Sequence, residues 1–243
     1  NPYNLLALTG GESTLLGELS LPSGEYSQIR FILEAPERGG GTPESPGAYI
    51  EYEDGSTQAL FVPSGSASGY KAVAEQPFTV PANGSVSITA DFDARRSVVG
   101  AGNSGLFILK PTLRLLVDSQ AGEIEGTLTN MDASTQYTVL AYEDDAYVDT
   151  EADDPADEEP RFPNAVSSFS PVDEDDAGNT DGSADYTIAY LAGGTYDLYI
   201  ATYTDSDSDG TFEFTGTVLT GPQDLEVTAS QTTTAADTDV SQP

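Results

Sequence analysis

Cysteine, histidine and tryptophan are absent from the 243 residues, methionine occurs once, and lysine occurs only as Lys71 and Lys110. Without Cys and His there are no thiol nucleophiles, no imidazole bases, no disulfide framework and few ways to build a zinc site. Those absences exclude a large share of familiar enzyme chemistry. The missing cysteine leaves the compartment open, because secreted bacterial and archaeal proteins also rely on packing or calcium. Long apolar runs are missing as well: no stretch approaches the roughly 20 apolar residues of a membrane helix. No basic-plus-apolar signal peptide opens the chain, so a signal is expected to have been removed or to precede the numbering, with room for a lipid anchor upstream.

What the chain has in excess is negative charge, with 41 acidic residues against 8 basic ones and a net charge of −33. Residues 1–118 hold 13 acidic and 7 basic side chains, a net −6, whereas residues 119–243 hold 28 acidic side chains against Arg161 alone, a net −27. Such a half-chain repels nucleic acid and anionic membranes, so neither is expected as a partner. It also repels itself, and compaction requires screening by salt or neutralisation by bound cations. Few lysines beside many aspartates point to salt adaptation and a marine or halophilic source.

Apolar–polar alternation, the mark of half-buried strands, dominates the chain, and helical periodicity is nearly absent. Val86, Ile88, Ala90 and Phe92 alternate with Ser85, Ser87, Thr89 and Asp91. Ile29, Phe31 and Leu33 share one face of Tyr26–Glu34, and Tyr49–Glu53 leads into an Asp54-Gly55 turn signal. Phe107–Leu109 and Leu113–Val117 flank Lys110-Pro111, where the proline predicts a bulge or an edge position. Beyond the small polar link Asp118-Ser119-Gln120-Ala121-Gly122, strands are expected at Glu123–Leu128, Gln136–Tyr142, Asp185–Tyr190, Tyr196–Tyr203, Thr211–Leu219 and Leu225–Thr228. The fold class is therefore all-β, two β-sandwich (Ig-like or transthyretin-like) domains in tandem. The expected domains are 1–118 and 119–229, the second interrupted by a long acidic insertion at 143–185 that Phe162, Val166 and Phe169 are placed to pin. Residues 230–243 show no apolar pattern and are expected to be a disordered tail or linker.

Several ordered motifs in the first half resemble one known family. Leu21-Pro-Ser-Gly-Glu-Tyr26-Ser-Gln-Ile-Arg30, Val62-Pro-Ser-Gly65, Phe78-Thr-Val-Pro-Ala82 and Asp91-Phe-Asp-Ala-Arg95-Arg-Ser-Val98 followed by Leu109-Lys-Pro111 are similar to the domain of unknown function 4382. Members of that family are similar in being predicted secreted proteins or lipoproteins of bacteria and archaea. The resemblance implies an extracellular or cell-surface location and supplies no activity and no catalytic residue. The family's domain opens with a further strand or hairpin before the segment matching Leu5-Leu6-Ala7-Leu8, and this chain begins almost on it. An unpaired sheet edge or open groove left there is expected to be an association site. In the second half, Gly122-Glu-Ile-Glu-Gly126-Thr-Leu128 and Tyr186-Thr-Ile-Ala-Tyr-Leu191-Ala-Gly-Gly-Thr-Tyr196 resemble carboxypeptidase-regulatory-like or transthyretin-like sandwiches, which implies a non-catalytic spacer or binding unit.

One loop has the spacing of a calcium site. In Asp205-Ser-Asp207-Ser-Asp209-Gly210-Thr211 alternate carboxylates can turn inward around a hard cation, Gly210 allows the bend and Thr211 offers a backbone carbonyl. Position twelve is Gly216 and not a bidentate Glu, so Glu213 or a distant carboxylate has to complete the shell. The plainer reading is an acidic, solvated hairpin turn. Asp144, Asp145, Asp149 and Asp173–Asp176 of the insertion are further candidate ligands, against the plain alternative of a solvated charge run. Calcium is the expected cofactor.

Paired carboxylates also serve glycosidases, but among 41 acidic residues a suitable pair arises by chance. No set of nucleophile, base and orienting group can be assembled, so no catalytic residue is expected. Asp91, Asp93, Arg95 and Arg96 fit a salt-bridged strand end. Asn83-Gly84-Ser85 is a glycosylation-type sequon on a turn. The function expected from all this is a non-enzymatic extracellular or cell-surface structural or interaction protein. It would be a calcium-stabilised subunit of a filament or matrix, joined by strand complementation to itself or to another surface protein. The alternative is a monomeric surface module binding glycan or peptide, for which 13 Tyr leave room.

Overall fold

The computed structural model describes residues 3–32, 47–52, 54–63, 69–100, 106–155, 159–173 and 180–241, with the side chain of Glu75 outside that set. The expectations that fell on Leu33, Glu34, Glu53, Ser64, Gly65 and Glu174–Asp176 lie outside the described residues. Nearly every regular element is a strand, as the alternation requires. The chain divides into two compact units, one of Gly17–Val117 with Asp154–Pro163, the other of Asn1–Leu16, Asp118–Asp153 and Asn164–Pro243.

The unit built on Gly17–Val117 contains two four-stranded sheets. One has the order β1 (Gly24–Phe31), β4 (Tyr70–Val80), β8 (Leu113–Val117), β5 (Ile88–Phe92). The other has the order β2 (Ala48–Glu51), β3 (Thr57–Phe61), β7 (Phe107–Leu109), β6 (Val98–Gly100). Ala72, Ala74, Phe78 and Leu115 form the buried centre of the first sheet's cluster, with Ile29, Phe31, Val86, Ile88 and Ala90 packed against it. Phe92, the last apolar residue of the same alternation, packs instead with Leu60, Val62 and Leu109.

Pro111 occupies a corner and not the bulge or edge expected of it. Lys110-Pro111-Thr112 carries the chain from β7, flanked by β3 and β6, to β8, flanked by β4 and β5. A residue without an N–H fits such a switch between sheets because no ladder bond is asked of it there. Buried Ser97 holds the corner, its carbonyl accepting from the Lys110 N–H at 2.7 Å and its hydroxyl from the Thr112 N–H at 2.9 Å. Asp93 caps the short helix α1 (Ala94–Ser97) by accepting the Arg96 N–H at 3.0 Å, and it also faces the Arg95 guanidinium at 3.4 Å. Arg114 pairs with Asp91. The mixed-charge segment is thus a strand end tied by ion pairs. Arg95 additionally donates to the backbone carbonyls of Arg161 and Phe162, and the Phe162 side chain is fully buried.

In the other unit two sheets face each other across one core. The first has the order β11 (Ser167–Phe169), β10 (Thr135–Glu143), β13 (Gly194–Thr204), β14 (Glu213–Thr220), with β15 (Leu225–Val227) also on β13. The second has β9 (Ala121–Thr129) between β12 (Ser183–Ala192) and β16 (Thr232–Thr234), with β17 (Thr238–Asp239) further along β9. Ile124, Leu128, Tyr186, Ile188 and Leu191 from the second sheet meet Tyr137, Val139, Ala141, Leu198 and Ile200 from the first. Alternation on both partners buries one face of each, the arrangement of a sandwich.

The C-terminal segment is corrected from disordered tail to paired strands. Thr232–Thr234 and Thr238–Asp239 run parallel to β9, and Ala235 and Val240 are buried. Their Ala235 and Val240 N–H groups donate to the carbonyls of Glu125 at 2.7 Å and Thr129 at 3.0 Å. The open edge of β9 holds this segment through its backbone, so few apolar side chains suffice.

Tyr186, opposite Gly126 in the ladder, is 1% exposed, and its hydroxyl has no hydrogen-bond partner among the described residues. A Cβ at position 126 would collide with that hydroxyl, which accounts for the glycine. Burial, with a smaller contribution from Asp237, raises the phenol from 10.0 to about 12. The unfolded phenol ionises first, so the stability linked to Tyr186 is complete below pH 10 and is lost as pH rises toward 12. Tyr186→Phe is expected to gain about 1 kcal/mol by removing an unsatisfied buried group and to flatten the alkaline loss of stability. Urea unfolding on either side of pH 10 measures both effects.

Candidate metal centre

Among the described residues two sets of carboxylates converge, and both include a residue within or just beyond β13. The first lies in the hairpin loop after that strand, where oxygens of Asp205, Asp207 and Glu213 all sit within 4.8 Å of one another. The loop closes on itself: Asp205 accepts the N–H groups of Asp209 at 3.1 Å and Gly210 at 3.0 Å, and Glu213 accepts the Ser206 N–H at 3.2 Å. Gly210 sits at φ +88°, which a glycine adopts without strain. Three of the five expected ligands of this loop therefore come together. Asp209 is instead turned back onto the Thr211 N–H at 2.7 Å, so Asp209 and Thr211 serve the turn through that bond.

The second set joins Asp144 and Asp145, just past β10, to Asp197 within β13, again with oxygens inside 4.8 Å. Asp197 is 5% exposed, and its two oxygens accept the N–H groups of Asp145 at 3.1 Å and Asp224 at 3.0 Å. Partial desolvation, then repulsion from Asp145, Asp197 and Asp224, holds the Asp144 carboxyl above its ordinary value. Asp149 is not in this set; it opens the 3-10 turn Asp149–Ala152. Asp173 accepts the N–H groups of Asp181 at 3.0 Å and Gly182 at 2.9 Å, which closes the far end of the insertion.

Asp197 and Asp224 escaped the sequence reading because neither belongs to an acidic run. The available signal was a lone carboxylate inside the apolar stretch Tyr196–Ile200, since a charge in a buried strand needs donors or a counter-charge. Beside this set Tyr147 and Tyr199 stack at 4.1 Å between ring centroids, with Tyr142 edge-on to both. Glu151, 7% exposed, accepts the Tyr142 hydroxyl at 3.2 Å and the Asn164 backbone and side-chain N–H groups at 3.1 and 2.8 Å. That carboxylate is saturated by donors and ties the insertion to β10.

Chemically, each set presents three hard oxygen donors at one point with no basic residue among them. Oxygen clusters of this kind suit a divalent cation such as calcium, which takes about 6–8 oxygens from carboxylates, carbonyls and water.

Residues 1–111 match the family described as domain of unknown function (DUF4382). The DUF4382 match ends at the Pro111 corner, before β8, and both carboxylate sets lie outside it. No curated protein matches the chain. The description DUF4382 carries no activity, so the chemistry of the carboxylates rests on their geometry.

Asp144→Asn is expected to raise the melting temperature in chelator at neutral pH. A raised carboxyl contributes fully below its ordinary value of 3.8 and loses that contribution as pH rises through the raised value, so the gain should vanish in acid. Thermal melts across that range check it. Glu151→Ala is expected to cost about 1–3 kcal/mol, because buried donors lose their acceptor; urea unfolding reads that loss.

Proposed function

We propose that this protein is a non-catalytic structural subunit of the cell surface or extracellular matrix that associates with copies of itself, with calcium stabilising its acidic second half. The observation that carries the association is an exposed leucine-rich segment. Leu15, Leu16, Leu19 and Leu21 are 76%, 56%, 78% and 43% exposed, in a stretch without regular secondary structure. Among the described residues no hydrogen bond engages the backbone of residues 13–21. An apolar segment with free N–H and C=O groups is a strand lacking a sheet. Addition to a sheet edge of a second copy satisfies those groups and buries the leucines. The β2 strand pairs only with β3 among the described residues and ends in a Tyr49–Tyr52 rim exposed at 38% and 42%, an edge of the kind such a segment joins.

A charge of −33 opposes association through most surfaces, which leaves the leucine segment, whose only charge between residues 13 and 21 is Glu18, as the favoured contact. Resemblance of the first half to secreted proteins and lipoproteins supports the surface location. The second half, similar to carboxypeptidase-regulatory-like or transthyretin-like modules, serves as a spacer whose repulsion calcium relieves at the two sets on β13.

A ligand-binding monomer has weaker support. One hollow among the described residues, lined by Pro63, Tyr70, Leu109, Lys110 and Pro111, measures about 270 Å³, below the roughly 300–1,000 Å³ of small-molecule sites. The Tyr70 hydroxyl there is committed to the Leu109 carbonyl at 2.9 Å.

Sedimentation of the full chain in high salt with calcium is expected to show large oligomers or filaments, and the double variant Leu15→Glu, Leu19→Glu to sediment as a folded monomer. A parent chain that sediments as a monodisperse monomer would refute the association. Calcium should raise and chelator lower the melting temperature, following RT ln(1 + [L]/Kd); equal melting in both removes the metal from the proposal.

A further inference from the structure

We infer that Asn83 is an attachment site for an N-linked glycan, its side-chain amide taking the sugar from a lipid-linked oligosaccharide donor. The inference rests on the extracellular reading above, because that transfer acts on exported chains. Asn83-Gly84-Ser85 is an Asn-x-Ser triplet with a non-proline centre, and the chain contains no second Asn-x-Ser or Asn-x-Thr.

The fold presents this triplet in the way the chemistry needs. It lies in the connection between β4 and β5, where residues 81 to 85 are all exposed. The Gly84 N–H donates to the Pro81 carbonyl at 3.4 Å and closes a tight turn, with Asn83 at φ +58°. Asparagine is among the few residues that tolerate that backbone region, which explains a turn residue but not the serine two places on.

The side chains of the other described asparagines separate Asn83 from them. Asn4 accepts the Leu6 N–H at 3.1 Å, Asn164 donates to Glu151 at 2.8 Å, and Asn130 hydrogen-bonds Asp239. Among the described residues neither the Asn83 amide nor the Ser85 hydroxyl makes a hydrogen bond, so the fold leaves both open to a transferase.

In the transfer a bond forms between Asn83 Nδ2 and the anomeric carbon of the donor sugar. The bond from that carbon to the lipid-linked phosphate oxygen breaks, the phosphate leaves with the electron pair, and one Nδ2 proton goes to a base of the transferase. Oxidation states do not change.

Peptide mass spectrometry of the chain isolated from its native host tests the site. The Asn83 peptide is expected to carry a sugar mass at Asn83, and Ser85→Ala, which leaves the Asn83 turn intact, is expected to abolish it. An unmodified Asn83 peptide in chain recovered from the cell surface or medium overturns the site while leaving the location standing. Unmodified chain recovered from the cytoplasm overturns both.

Discussion

Carboxylate crowding is the constraint around which this protein is built. With 41 acidic side chains and 8 basic ones, most carboxylates cannot find a cation within the chain. The structure answers by giving them backbone N–H groups. Asp54, Asp132 and Asp239 each accept the N–H of a serine two residues on, at 2.8, 2.8 and 3.0 Å, and serine hydrogen bonds hold all three carboxyls below their ordinary value. Asp93, Asp173, Asp197 and Asp205 use the same donor type to cap a helix, close a loop and shape two turns. Acid thus becomes turn structure at these positions, and among the described residues a few carboxylates face one another.

Those few are gathered at the two ends of one strand. Asp197 sits near the beginning of β13 and Asp205 just beyond its end, and β13 is the strand to which β10, β14 and β15 all pair. A cation bound at either set would therefore act on a strand that three others pair with. Asp144 shows the crowding, its carboxyl raised by partial desolvation and then by repulsion from its neighbours while the turn aspartates are lowered.

Much of the architecture was legible before any coordinates. The alternation of Val86, Ile88 and Ala90 named core residues, the runs ending at Tyr142 and Tyr203 named strands, and the mixed charges at Asp91–Arg96 named an ion-paired strand end. The Asp-x-Asp-x-Asp spacing brought Asp205, Asp207 and Glu213 together because a tight loop is governed by local geometry. Asp209 lies outside that group, its carboxylate accepting the Thr211 N–H two residues on.

By itself, then, the sequence determined the all-β class, the strand faces, the turn chemistry and the location of the charge, since each depends on residues within a few positions of one another. Only the tertiary structure decided that Asp197 meets Asp144 and Asp145, that Phe92 leaves its own sheet's cluster, and that the Thr-rich segment after Ser230 pairs with β9. Those outcomes depend on which strand lies beside which. Backbone hydrogen bonds join the strands, but every non-proline residue carries the same donor and acceptor, so the local pattern of one strand does not name its neighbour.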